Sequence, residues 1–254
     1  MSKVRLDQLL VLRGLAPSRT KALGVILSGE VFVAGARVEK AGSLVADDAP
    51  IEVRRAAHPY VSRGGVKLAA ALDEFDLDVR HLVCLDLGAS TGGFTDCLLQ
   101  RGAAKVVAVD VGYGQLAHRL RVDPRVVVME RTNARTLTPA VIGLQADLTV
   151  VDASFIGIGK LTSAIARCTR EGGELVALIK PQFEVGREQA SRGRGVVRDD
   201  ASRSEAVARA RQDIRSAGFE ILMQRESALR GPKGNREEFV RARRSGPAYE
   251  PIPE

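Results

Sequence analysis

Residues 84–99, CLDLGASTGGFTDCLL, decide the fold. An apolar run over 83–87 leads into a turn with Gly88, Gly92 and Gly93. Phe94, Cys97 and Leu98 then recur at helical spacing. A buried strand, a tight glycine turn and a helix in this order open a doubly wound α/β domain. In such domains ligands sit beyond the carboxyl ends of the strands and at helix N-termini. Further on, KVVAVD (105–110) predicts a second strand ending in Asp110, where a carboxylate can hold the two hydroxyls of an adenosine ribose. A dinucleotide fingerprint would read G-x-G-x-x-G. Here it reads D-x-G-x-x-x-G-G, with Asp86 two residues before Gly88 and Ala89-Ser90-Thr91 between the glycines. A carboxylate at that place repels a pyrophosphate but accepts hydrogen bonds from an ammonium, such as the one on the methionine part of S-adenosylmethionine. The pattern therefore favours a site for S-adenosylmethionine over a dinucleotide site, or over a turn that serves only helix–strand packing.

The chain has 254 residues, enough for one large domain and a small one, and its 45% hydrophobic content supplies a core. A net charge of +7 suits a polyanionic partner without identifying it. Cys84, Cys97 and Cys168 show neither C-x-x-C pairing nor metal-ligand spacing, and read as small core residues in a reducing compartment. His58, His81 and His118 are scattered, so no metal site is expected. Lys3, Arg5 and Asp7 interrupt any signal-peptide core. No apolar run approaches the roughly 18 residues of a membrane helix. The expected location is the cytoplasm, with no membrane partner.

Residues 1–60 read as a separate unit. A first helix carries Val4, Leu6, Leu9, Leu10 and Val11 and stops near Gly14; Pro17-Ser18 starts a second that runs to Leu27. A hairpin over 31–38 turns at Ala34-Gly35, and a strand at 51–53 follows the Asp47-Asp48 turn. RLDQLL and GLAPSRTKALGVILSGEVFVAG in this ααβ pattern resemble the S4 RNA-binding domain over about the first fifty residues. The resemblance implies that Arg5, Ser18, Arg19 and Lys21 face structured RNA through phosphate and shape contacts. Charge alone is a weak guide, since residues 1–60 hold nine Lys/Arg against six Asp/Glu. Residues 54–63, RRAAHPYVSR, read as a linker or as a segment docking the two domains.

The second domain spans 64–254. A helix is expected at 66–75, with Lys67 in its first turn as either a surface lysine or one aimed at an anion. After Asp110, VGYGQLAHRLR gives a loop and short helix, and 125–129 a third strand. Asn133 follows in ERTNAR, where its amide either reads the adenine edge or caps a turn. The fourth strand, 147–152, ends in Asp152. The fifth, 174–179, ends in Lys180-Pro181. Residues 186–198, with Arg187, Arg192, Arg194 and Arg198, read as a mobile basic loop that closes on a phosphate backbone, or as an ordinary disordered loop. A helix over 201–217, a strand at 219–223, a glycine-rich loop at 230–236 and a last strand from Glu237 complete the repeat. The proline-rich tail is expected to fray.

Lys67, Asp152, Lys180 and Glu237 all fall at strand ends or on a helix placed to meet them. Two lysines and two carboxylates beside a methyl donor suit methylation of a hydroxyl. A ribose 2′-hydroxyl must lose its proton as the methyl transfers, and a desolvated lysine near other cations can serve as general base. Carboxylates would hold that lysine, and the second lysine would temper the developing oxyanion. SRGGVKL, LDLGASTGGFTDCLL, VVAVDVGYGQL, RTNAR, VDASFI, IKPQFEVG and GPKGNREEF, behind an S4 unit, resemble the TlyA family over nearly the whole chain. These are ribosomal RNA 2′-O-methyltransferases historically called haemolysins, similar in their catalytic part to the FtsJ/RrmJ enzymes. The resemblance implies a Rossmann-like class I methyltransferase fold with a mostly parallel seven-stranded sheet. It implies S-adenosylmethionine as cofactor and a cytidine of ribosomal RNA, in one or both subunits, as substrate. Lys67, Asp152, Lys180 and Glu237 match its K-D-K-E catalytic set, with Lys180 as general base. Asp86, Gly88, Ser90, Gly92 and Phe94 fall in its cofactor loop, and Asp110 matches its ribose-binding acid. Glu238 stands where the family often has an aromatic. A non-catalytic ribosome-assembly factor and a membrane-active haemolysin are the alternatives. The intact four-residue set argues against the first and the absence of a long apolar segment against the second.

Overall fold

The computed structural model describes residues 3–27, 29–54, 58–185, 196–197, 199–231 and 234–246. Strand β1 (Lys3–Arg5) leads directly into α1 (Leu6–Leu12). There follow α2 (Arg19–Leu27), the hairpin β2 (Val31–Val33) and β3 (Ala36–Arg37), then β4 (Leu44–Ala46) and β5 (Ile51–Val53). The strands β3, β2 and β5 form one antiparallel sheet, and β1 pairs with β4. Leu6 and Leu10 of α1, and Ala22 and Ile26 of α2, recur four residues apart and close a buried core with Val31. Periodicity extends the first helix back to Val4. In the structure Val4 instead pairs with Val45, since a three-residue strand is too short to show an alternation.

The second unit begins with α3 (Arg63–Glu74), followed by β6 (Val83–Leu87), α4 (Gly93–Gln100), β7 (Lys105–Val109), α5 (His118–Arg121) and β8 (Val126–Met129). Then come α6 (Pro139–Ile142), β9 (Ala146–Val151), α7 (Thr162–Cys168), β10 (Thr169–Ile179), α8 (Pro181–Glu184), α9 (Asp200–Ser216), β11 (Phe219–Glu226) and β12 (Glu238–Arg244). Their seven strands lie in the order β11-β12-β10-β9-β6-β7-β8, and only β12 runs against the rest. This is the expected mostly parallel seven-stranded sheet. Successive residues point to opposite faces, so Leu85 and Val107 join one core and Cys84 and Val106 the other. The order reverses at β6, with β7 on one side and β9 on the other, which opens a crevice beyond its carboxyl end.

Several boundaries move. The helix expected from residue 66 starts at Arg63, with Gly64 and Gly65 inside it. A Cβ on Gly65 would lie 2.9 Å from the Gly93 carbonyl oxygen, and one on Gly93 equally close to the Gly65 nitrogen. The glycines are there for close approach of α3 to α4, not to break the helix. Lys67 consequently sits one turn inside α3. Strand β10 begins at Thr169 rather than 174, with a register shift between Thr169 and Glu174. All three cysteines are free and buried, and burial pushes their thiols upward, to about 12 at Cys97 and about 11 at Cys168. Of the expected basic loop only residues 196–197 are described, so Arg187, Arg192, Arg194 and Arg198 lie outside the described residues, as do linker residues 55–57 and the tail from 247.

Candidate active site

Register brings the predicted residues together. Leu87 pairs with Val151, Val151 with Ala177, and Ile179 with Glu238. Gly88, Asp152 and Lys180 follow the ends of parallel strands, and Glu237 precedes the reversed β12, so all four lie along one edge of the sheet. Lys180 Nζ is 2.6 Å from Asp152 Oδ1, donates to Ser154 Oγ at 2.9 Å, and lies 3.3 Å from the Asp152 carbonyl oxygen. Lys67 Nζ reaches Glu237 Oε2 at 2.5 Å, and Gln182 Nε2 donates to Glu237 Oε1 at 3.3 Å. Lys67 and Lys180 are buried, and Glu237 is fully so. A buried charge persists only when paired, so each lysine comes with its own carboxylate. Helix α3 supplies the link between the pairs, since a Cβ on Gly64, one turn before Lys67, would lie 3.6 Å from Asp152 Oδ2. Glu237, not Glu238, enters this set. The side chain of Glu238 instead faces Gln224 and lies 3.6 Å from Arg203.

The glycine turn adjoins this cluster. A Cβ on Gly88 would lie 2.9 Å from the Asp152 carbonyl oxygen, and the Asp152 N–H donates to the Leu87 carbonyl at 3.0 Å. Gly88 and Gly92 hold φ of 87° and 96°, values that favour glycine. Asp86 belongs to β6 itself, and its side chain is fully buried. Its Oδ2 accepts from the Thr95 hydroxyl at 2.6 Å, while Oδ1 has no hydrogen-bond partner among the described residues. Burial pushes the carboxyl up to about 7, with Asp152 and Asp110 adding repulsion. Asp110 accepts from the Ser90 and Gly112 amides at 2.8 and 2.7 Å, which ties the first turn to the end of β7. Three carboxylates thus converge on the crevice. An orphaned buried oxygen among them fits a cationic ligand group and disfavours a pyrophosphate.

Two expected contacts change. Phe94 lies within the loop segment, but its ring packs in the core 6.1 Å from the Phe239 ring and offers no side chain to a ligand. The apolar stripe of α4 claims it. Asn133 takes the capping alternative, its Oδ1 accepting from the Arg135 amide at 3.0 Å. Thr95, Ser154 and Gln182 were not expected at the site. Thr95 could have been suspected as a hydroxyl in the first turn of an otherwise apolar helix. In the N-terminal unit, Asp7 gathers Arg5 (3.0 Å) and Arg19 (2.9 Å). The Arg5 hydrogen bond leads in holding the Asp7 carboxyl down at about 2. Ser18 Oγ accepts from the Lys21 amide at 3.3 Å and so opens α2 rather than standing free, and Lys21 is exposed.

The sequence profile of the FtsJ-like methyltransferases matches residues 60–244, and that of the S4 domain residues 4–50. The 16S/23S rRNA (cytidine-2′-O)-methyltransferase TlyA of Mycobacterium tuberculosis is 46% identical over 239 residues, which cover 94% of this chain and 89% of the relative. The chain belongs to the TlyA family. Another relative of this TlyA-family chain, hemolysin A of Brachyspira hyodysenteriae, is 42% identical over 91% of the chain and 96% of its own length. A solved structure described as a hemolysin from Streptococcus thermophilus superposes with a TM-score of 0.75 at 37% identity, covering 98% of this chain and 90% of that one. Among the described residues, no helix of this TlyA-family protein is long and apolar enough to cross a membrane.

Proposed function

We propose that the protein transfers a methyl group from S-adenosylmethionine to a ribose 2′-hydroxyl of ribosomal RNA, at a cytidine. The observation that carries this reading is the juxtaposition of two lysine–carboxylate pairs with the Asp86 carboxyl, whose Oδ1 is unpartnered among the described residues, at one sheet edge. Asp86 would hold the cofactor's ammonium, and Gly88, Ser90 and Gly92 would line the turn around it. Asp110 would take the ribose hydroxyls. Bound S-adenosylmethionine supplies an electrophilic methyl on a cationic sulfur. Lys180, oriented by Asp152 and Ser154, would act as the neutral amine and take the hydroxyl proton as the oxygen–methyl bond forms and the sulfur–methyl bond breaks. Lys67, oriented by Glu237, stands beside the oxygen and tempers its developing charge. The cysteines support oxygen rather than base-carbon methylation, since all three thiols are core groups and none can attack a base. Arg5, Arg19 and Lys21 would anchor the RNA by its phosphates. The test is incubation with purified small and large ribosomal subunits and labelled cofactor, followed by mapping of 2′-O-methyl groups. Label in a cytidine ribose is expected. Label confined to bases, or none on either subunit, overturns the reading.

Phe155 extends it. Its ring is 91% exposed, its φ is 68°, and it lies 5.3 Å from the Phe183 ring, one residue beyond the Ser154 that binds Lys180. An exposed aromatic held in the left-handed region carries a strain of about 1–3 kcal/mol that needs a use. Stacking the target base, turned out of its helix toward Lys180, is such a use. Phe155→Ala is expected to cut methyl transfer about tenfold or more, base stacking being worth about 1–3 kcal/mol, with cofactor affinity unchanged. Equal steady-state rates for both proteins on ribosomal subunits would remove this role.

A further inference from the structure

Arg63 is the first residue of α3, and its guanidinium joins the two domains. Nη1 donates to Glu39 Oε1 of the N-terminal unit at 2.9 Å, and Nη2 donates to the Arg230 carbonyl at 3.0 Å. Glu39 and Arg63 are about equally withdrawn from solvent, at 20% and 22% side-chain exposure, so this is not an ordinary surface pair. The N-terminal unit also packs on the arginine stem, since a Cβ on Gly29 would lie 3.3 Å from Arg63 Cδ. Arg230 opens the segment that ends in Glu237. That segment is closed at its far end by the Ser227 amide donating to the Glu237 carbonyl at 2.8 Å, and inside by the Gly231 amide donating to the Asn235 carbonyl at 2.9 Å. Arg63 and Lys67 are four residues apart and so lie on one face of α3. One holds the start of the 230–237 segment and the other its end, at the Glu237 carboxylate.

We propose that Glu39 and Arg63 are positioning residues for methyl transfer. Glu39, from the RNA-binding unit, fixes the Arg63 guanidinium, which sets the segment that carries Glu237 against Lys67. The N-terminal domain then takes part in building the active site besides anchoring RNA. This rests on the assignment of Lys67 and Glu237 to the reaction. It also predicts the opposite of what charge alone would give. Removing an acid from an RNA-binding domain should leave RNA affinity the same or better, whereas here it should slow the reaction.

The test uses the full-length chain and the variants Glu39→Gln, Arg63→Lys and Glu237→Gln. Single-turnover methyl transfer is measured at saturating subunits and cofactor, with RNA and cofactor affinities measured separately. Glu39→Gln is expected to slow transfer about tenfold, with both affinities within about twofold, because loss of placement costs rate rather than binding. In the Glu237→Gln background the same change should cost nothing further. Hydrogen exchange supplies a readout that needs no activity. Amides of residues 227–231 and 234–237 should exchange faster in Glu39→Gln, and Arg63→Lys, which keeps the charge but loses the two-pronged reach, should behave alike. Wild-type exchange in both variants, or a Glu39→Gln rate equal to wild type, overturns the positioning role of Glu39 and Arg63. A wild-type enzyme that modifies no ribose, with the exchange result intact, would instead fault the proposed reaction.

Discussion

Lys180→Ala is expected to lower methyl transfer by about a thousandfold, within the range spanned by general bases, while leaving S-adenosylmethionine affinity nearly unchanged. The separation follows from which residues do what. Lys180 spends its hydrogen bonds on the Asp152 carbonyl and Ser154 and pairs with the Asp152 carboxylate, and the cofactor is assigned to Asp86, Asp110 and the turn between β6 and α4. Removing the amine leaves Asp152 without its partner, so part of the loss could come from local rearrangement. Lys180→Met keeps the buried stem and serves as the packing control. Both variants should fall by a similar factor in single-turnover assays on ribosomal subunits, with calorimetric cofactor binding retained. Wild-type turnover in either variant would move the base elsewhere.

Asp86→Asn should weaken cofactor binding about a hundredfold or more, since a desolvated ammonium would lose its counter-charge, and yet stabilise the ligand-free protein in mild alkali. The sign follows from burial. An unfolded aspartate ionises near its ordinary value of 3.8, whereas burial first, then the neighbouring Asp152 and Asp110, hold folded Asp86 at about 7. Between these values the folded state binds more protons, so wild-type stability falls as pH rises through that window. The cost is on the order of a few kcal/mol above pH 7. Asparagine can still accept from Thr95 and removes that slope. Thermal unfolding of ligand-free wild type and variant from pH 5 to 8 should therefore diverge, the variant melting higher at pH 8. In the wild type, cofactor affinity should rise about tenfold per pH unit up to about 7, with one proton released per ligand bound, as calorimetry in two buffers would report. A pH-independent affinity would mean that Asp86 does not meet the ammonium.

What could be read from the chain depends on distance along it. The glycine turn, Asp110 and the apolar strands are local patterns, and each appears where its spacing places it. Lys67 and Glu237 are separated by 170 positions, and no local pattern says that they touch. Their contact follows from β12 entering the sheet beside β10 in reverse, a matter of topology. The choice of Glu237 over Glu238 is different, since the GPKGNREEF match already names Glu237, and the structure turns the Glu238 side chain to Gln224. Phe94 and Asn133 are ambiguous for a different reason. Each has a chemistry that suits a ligand and an equally good structural use, and the ring found a core while the amide found a turn. Gly64-Gly65 reads as the lead-in to a helix from residue 66 until the proximity of Gly93 is known. Asp86 reads as a site group from its place before Gly88, but its complete burial depends on α4 folding back over β6, which sequence spacing does not report.

The reversed strand has a consequence for the timing of assembly. Glu237 enters at the head of the last strand, so Lys67, made early, waits for a partner produced some 170 residues later. As the polypeptide leaves the ribosome, its N-terminal domain is complete first. A nascent chain could therefore grip RNA well before its methylating centre is whole, and modification must wait until Glu237 has been made.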